Sequence, residues 1–239
     1  MQAPSTADDA AWRRTRSAVV RNAIGIGVAT GAYAVSFGAI ATSTGFSPLE
    51  ASGLSALMFT GASQFALVAV IAAGGDALSA VVTAILLGSR NSLYALRMAP
   101  LLRVRGLRRL AAAQLVIDET IAMAIARDDP RAARLAFYAT GISVFVLWNV
   151  GTLIGALGAR VLPPSEVLGL DAAVPAALLG LLAPRLRGRE LWAIALAAAA
   201  VALAASTFLA AGVPILLAAG VAVVSGLVRV RRRAASETG

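Results

Sequence analysis

Long apolar runs, separated by short arginine-rich loops, fill residues 18–228 of this sequence. The runs are roughly 15–27 residues long, and a bilayer core of about 30 Å is crossed by roughly 20 apolar residues in a helix. Lipid offers no hydrogen-bond partner to an open backbone, so runs of this length are expected as helices that satisfy their own peptide groups. Composition agrees. The chain is 59% hydrophobic and 14% charged, against about 45–50% and about 25% in soluble domains. The expected fold is an all-α polytopic integral membrane protein of about seven or eight membrane segments. The segments fall near 18–43, 48–73, 77–102, 107–127, 135–158, 171–184, 190–210 and 214–228. Three divisions follow: a polar cytoplasmic lead (1–17), a transmembrane domain (18–228) and a basic cytoplasmic tail (229–239). The lead reads as disordered or interfacial. The apolar run after Arg13-Arg14 continues past Arg21 and past the signal-like Ala32-Tyr33-Ala34, so an uncleaved first helix is expected.

All 21 basic residues are arginine, and the net charge is +9. They cluster at the ends of apolar runs, which the inward bias of positive loops explains without nucleic acid. The loops 103–109, 127–134, 185–189 and 229–233 are rich in arginine, whereas 44–47, 74–76 and 211–213 have none. If all eight segments cross, the basic loop 103–109 falls outside. If segments 48–73 and 107–127 instead enter and return on one side, every basic loop falls inside. Both arrangements place both termini in the cytoplasm. The first segment carries Gly25, Gly27, Gly31 and Gly38, which allows close helix approach. Ser47-Pro48 is a helix start, and Asp171 reads as the N-cap of the sixth segment.

Polar residues at membrane depth must face protein or a wet cavity. They occur here at Gly61-Ala62-Ser63-Gln64, at Ser89-Arg90-Asn91-Ser92 and at Asp118-Glu119-Thr120. The expectation is that they line a path through the membrane. Gly61, Ser63 and Gln64 permit an unwound turn, and free N–H groups at a half-helix N-terminus attract a carboxylate. The bland alternative is a small-residue packing patch. Arg90, Tyr94 and Arg97 share one helical face by their i, i+4, i+7 spacing. Arg90 either pairs with Asp118 or Glu119 to hold two segments together or binds a substrate carboxylate as a planar fork. The other carboxylate can bind an ammonium group or carry a proton. With no Cys and no His, disulfides, thiol chemistry and the usual zinc or haem ligation fall away, and no cofactor or metal is expected. An intramembrane aspartyl protease would need Asp118 and Asp171 as its pair, and Gly169-Leu170-Asp171 matches that motif poorly, so no enzyme is expected. A non-transporting scaffold or sensor subunit is the other competing class.

The stretches SFGAIATSTGFSPLEA (36–51), FTGASQFA (59–66), SRNSLYAL (89–96), IDETIA (117–122) and GLDAAVPA (169–176), in this order, resemble the AzlC family, the large subunit of bacterial branched-chain amino acid exporters. The family pattern often has an Asn before the Arg and a His after it. Gly88 and Asn91 stand near those places here, leaving Arg90 and Tyr94 as the matching positions. The resemblance implies export of valine, leucine, isoleucine or methionine across the bacterial inner membrane, and a small AzlD-type membrane partner. An amino-acid zwitterion needs an anion site, a cation site and an apolar pocket. Arg90 or the Gly61 turn, the Asp118-Glu119 pair, and neighbours such as Phe59, Phe65 and Met123 are the residues suited to those roles.

Overall fold

The computed structural model describes residues 6–159, 179, 182, 186–209 and 213–237. Among these there are helices and no strand, so the chain is an all-α membrane protein. The sixth segment, apart from residues 179 and 182, and the expected Asp171 cap lie outside the described residues. The helices are α1 (Thr6–Ser43), α2 (Pro48–Leu57), α3 (Gly61–Ala72), α4 (Ala77–Gly88), α5 (Arg90–Leu102), α6 (Leu107–Gln114), α7 (Asp118–Ile125), α8 (Pro130–Gly158), α9 (Arg189–Ser206) and α10 (Val213–Glu237). Three of them are long and apolar enough to cross a membrane singly, within Asp8–Ser43, Pro130–Gly158 and Arg189–Ser206. The second, third and fourth segments are each divided into two short helices. Breaks were expected in the second and fourth. In the third, Ser89-Arg90-Asn91-Ser92 was expected as a polar interruption, and the helix itself is broken there, between Gly88 and Arg90. The polar lead is helical from Thr6 onward and simply continues into α1. The basic tail likewise continues α10 to Glu237.

The chain forms two compact units. One comprises residues 1–64 and 88–168, the other 65–87 and 169–239. The first is built on α1 and α8, which run in the same direction. Trp12 meets Arg131 at one end, with the guanidinium 3.8 Å from the indole centroid. Further along, Gly27 and Gly31 face Ser143 and Leu147, and Gly38 faces Thr152. The glycines let the two backbones touch. A Cβ at Gly38, Gly151 or Gly155 would overlap the carbonyl of Thr152, Gly31 or Val35 respectively. That close approach is the usual device for joining helices where lipid is as apolar as leucine. α8 starts at Asp129, whose carboxylate accepts from the N–H groups of Arg131 and Ala132, with Pro130 in the first turn. α2 joins the pair through a buried hydroxyl contact, Ser55 Oγ to Thr152 Oγ1 at 3.0 Å. A second layer packs Met98 and Leu102 of α5, Ala112 of α6, and Ile121 and Ala124 of α7 against Phe137 of α8. α5 stops at Arg103, whose φ is +50°. Arg134 Nε donates to the carbonyl of Leu101 at 2.8 Å, placing a cation at the negative end of that helix.

In the second unit, α9 and α10 form an antiparallel hairpin, closed at one end by Glu190 and Arg229 at 3.3 Å. Arg229, read from sequence as a plain tail anchor, is therefore part of a helix pair. Trp192, Leu196, Leu203, Val224 and Leu227 are exposed, as expected of lipid-facing scaffold. Asp76 opens α4. Its carboxylate accepts from the Ser79 N–H at 3.0 Å and Oγ at 2.7 Å, and these bonds hold its pKa below the ordinary carboxylate value. A lowered folded pKa means that this cap is fully made above about pH 4 and is lost as pH falls through the folded value.

Candidate functional site

Three helix breaks define the site, and each leaves peptide groups that need partners. The first lies at Met58-Phe59-Thr60, just ahead of Gly61. Sequence reasoning put the break within Gly61-Ala62-Ser63. Those residues are instead the first turn of α3, with Ser63 and Gln64 N–H donating back to the Thr60 carbonyl. Gln64 is fully buried, and its Nε2 donates to the carbonyl of Leu54 at 3.0 Å. Gln114, at the end of α6, donates to the carbonyls of Ala56 at 2.7 Å and Leu57 at 3.3 Å. Two glutamines therefore satisfy the last turn of α2. Gln114 was not singled out from sequence, because its partners lie 58 and 57 residues away and no local pattern marks them. Replacing it with alanine removes the donor of two partly exposed carbonyls. The expected cost is about 1–2 kcal/mol, read as a lower melting temperature of the purified protein in detergent.

The second break, at Leu115-Val116-Ile117, precedes Asp118. Buried Thr120 closes it: its Oγ1 accepts from Ile117 N–H at 3.0 Å and lies 2.9 Å from the Leu115 carbonyl and 2.8 Å from that of Ile117. Asp118 and Glu119 then occupy the first turn of α7, where the helix dipole favours negative charge. They are half-buried. The third break separates Gly88 from Arg90, the first residue of α5. A guanidinium at a helix N-terminus is placed against the dipole, and Asp118 offsets it. Arg90 Nη2 and Asp118 Oδ2 lie 3.1 Å apart, with side chains 29% and 24% exposed. This is one of the two pairings open from sequence. Tyr94 sits one turn along α5, packed beside the Met98–Phe137 cluster.

The first and third breaks meet. A Cβ at Gly88 would stand 3.2 Å from Ser63 Oγ and 4.0 Å from Thr60 Cγ2. A side chain at position 88 would crowd Ser63. α8 covers the first break with two aromatic rings one turn apart. Phe145 meets Phe59 edge to face at 5.0 Å. Trp148 lies over Gly61, where a Cβ would come 2.9 Å from indole Cη2, and is 6.1 Å from Tyr33 between centroids. Trp148 is a further site residue that sequence patterning did not select. A Trp in an apolar run reads as packing until its neighbours are known. Around these breaks, buried polar atoms have no hydrogen-bond partner within the protein: Ser63 Oγ, Gln64 Oε1, Arg90 Nε, Asn91 Oδ1 and Trp148 Nε1. Gln64 is fixed in orientation, because only its NH2 can face the Leu54 carbonyl. Its oxygen is therefore the orphan. Buried polar atoms of native proteins are nearly all partnered. These five lie on or beside the breaks; Ser52 Oγ, Thr83 Oγ1, Arg127 Nε and Thr140 Oγ1 are also unpartnered among the described residues.

A family model described as AzlC protein matches residues 25–162. The chain belongs to the AzlC family. The matched region holds all three breaks of this AzlC chain and every residue named above as a candidate, and ends before α9 and α10. The inner membrane protein YgaZ of Escherichia coli (strain K12) is 35% identical over 132 residues, 52% of this chain and 52% of that protein. An uncharacterized membrane protein of Archaeoglobus fulgidus is 34% identical over 175 residues, 72% of this chain and 75% of that protein. The match thus spans about half the length of the first relative. No solved structure matches the chain.

Proposed function

We propose that this AzlC chain is the large subunit of a secondary exporter for branched-chain and other apolar amino acids: valine, leucine, isoleucine and methionine. It is proton-coupled and works with a small AzlD-type membrane subunit. It sits in a bacterial inner membrane with both termini cytoplasmic. The observation that carries the reading is the meeting of the Ser63 and Gly88 breaks, beside which buried donors and acceptors lack protein partners. An amino acid is a zwitterion, and the orphan set suits both ends of one. Arg90 Nε, the Trp148 indole N–H and the first N–H groups of α3 are donors for a carboxylate. Gln64 Oε1 and Asn91 Oδ1 are acceptors for an ammonium group, and Asp118 or Glu119 carries negative charge nearby for the proton. The rings of Phe59, Phe145, Trp148 and Tyr33 give the aliphatic side chain an apolar wall. Broken helices with backbone ends facing the substrate are a general device of secondary transporters.

Preloaded cells expressing this chain with its small partner are expected to release labelled valine, isoleucine and methionine faster than cells expressing either chain alone. Collapse of the pH gradient by an uncoupler abolishes the difference. Release unchanged by uncoupler removes proton coupling. Absence of accelerated release, with both chains present in the membrane, removes the exporter. The charge pattern of the loops also favours α2–α3 and α6–α7 as elements that enter and return on one side, because every arginine-rich loop then falls inside. A cysteine at Gly75 is then labelled by an impermeant maleimide from outside the cell. Labelling from the cytoplasm alone restores eight full crossings.

A further inference from the structure

The first helix carries a second polar feature, well separated along α1 from the glycines that meet α8. Arg13, Arg16 and Arg21 line a groove of about 630 Å³ together with Ser17, Val20 and Ile24. Their spacing puts all six on one helical face, with Arg16 on one edge, Arg21 on the other and the Ser17-Val20-Ile24 strip between. The three arginines are exposed, and among the described residues none forms an ion pair. They differ in this from Arg90 and Arg229, which pair with carboxylates, and Arg131, which stacks on Trp12. The groove lies where the polar lead passes into the apolar run, and Ile24, which is 51% exposed, belongs to that run. A cationic rim over an apolar floor at this depth has the chemistry of an anionic phospholipid: phosphate oxygens against guanidinium forks, acyl chain along Val20 and Ile24.

We propose that this face of α1 is a binding site for one anionic phospholipid, such as phosphatidylglycerol, held by Arg13, Arg16 and Arg21. The reading does not depend on the transported substrate.

The test is native mass spectrometry of the detergent-purified full chain, titrated with dioleoylphosphatidylglycerol and, separately, dioleoylphosphatidylcholine. The expected result is at least roughly tenfold tighter binding of one phosphatidylglycerol, with that preference lost in R13Q/R16Q/R21Q. The variant R103Q/R105Q/R108Q removes the same charge from a different basic loop and is expected to retain it. All six positions are exposed, so both variants are expected to fold. Equal binding of the two lipids overturns the proposal. So does a preference that survives R13Q/R16Q/R21Q, or one lost equally in both variants, which would reflect net charge alone. Competition by inorganic phosphate at the lipid's own concentration would reassign the groove to a free anion and overturn it as well.

Discussion

Arg90→Ala is expected to reduce amino-acid efflux by at least about tenfold while the protein still reaches the membrane. The guanidinium lies 3.1 Å from Asp118 and is about 70% shielded from solvent, as 29% of it remains exposed. Loss of one partner of a fully buried pair costs about 3–5 kcal/mol. Partial exposure here lowers that to roughly 1–3 kcal/mol of stability; the loss of efflux is expected from removing the cation proposed to meet the substrate carboxylate. A purely architectural pair would give the same first result, so the double variant Arg90→Leu/Asp118→Leu decides between the two roles. Replacing both partners with apolar groups is often neutral for stability. If the pair only ties α5 to α7, the double variant regains both melting temperature and efflux. If Arg90 also meets the substrate, it regains melting temperature and stays inactive. Asp118→Asn, which keeps the shape and removes the charge, is expected to lose efflux like Arg90→Ala.

Gly155→Leu is expected to be the most damaging substitution for folding. Even a methyl group at this position would overlap the Val35 carbonyl, and the same is true at Gly151 against Gly31 and at Gly38 against Thr152. The clash is with backbone on a helix, so no rotamer change relieves it. α1 and α8 must move apart, and the Ser55–Thr152 hydrogen bond is strained with them. The expected loss is more than about 3 kcal/mol, seen as protein that fails to accumulate in the membrane or aggregates on extraction. Gly25→Leu is the control. Nothing lies within 4 Å of its Cβ position, and leucine is the better helix former, so it is expected to accumulate normally. Equal accumulation of Gly155→Leu and Gly25→Leu would show that the α1–α8 contact is not what holds the first unit together.

What could be read from the residues alone was whatever is encoded locally. Apolar runs gave the helices, and Gly27, Gly31 and Gly38 announced a close helix contact. Polar residues at membrane depth located the breaks near Gly61 and Asp118, and a costly Arg90 called for a carboxylate. What escaped was non-local. The break ahead of Gly61 is defined by where α2 finds donors for its last carbonyls, and one of those donors is Gln114, half a hundred residues on. The break after Gly88 has no proline at its hinge, and its sequence mark is only the polar Ser89-Arg90-Asn91-Ser92 stretch. It becomes intelligible only once Ser63 is seen to occupy the space a side chain would need. The helical lead was missed because a polar segment of this kind reads as solvated until Trp12 is seen under Arg131.

The amide of Gln114 has a kinetic consequence. It belongs to α6, yet it holds the end of α2. Rotation of α2 away from α6 therefore breaks two bonds before it gains any. The amide thus ties two segments that are far apart in the chain, and separating them costs both bonds. A variant without that amide should open more often and close less completely. On the proposed exporter reading, such a variant is expected to leak in a membrane that stores a gradient.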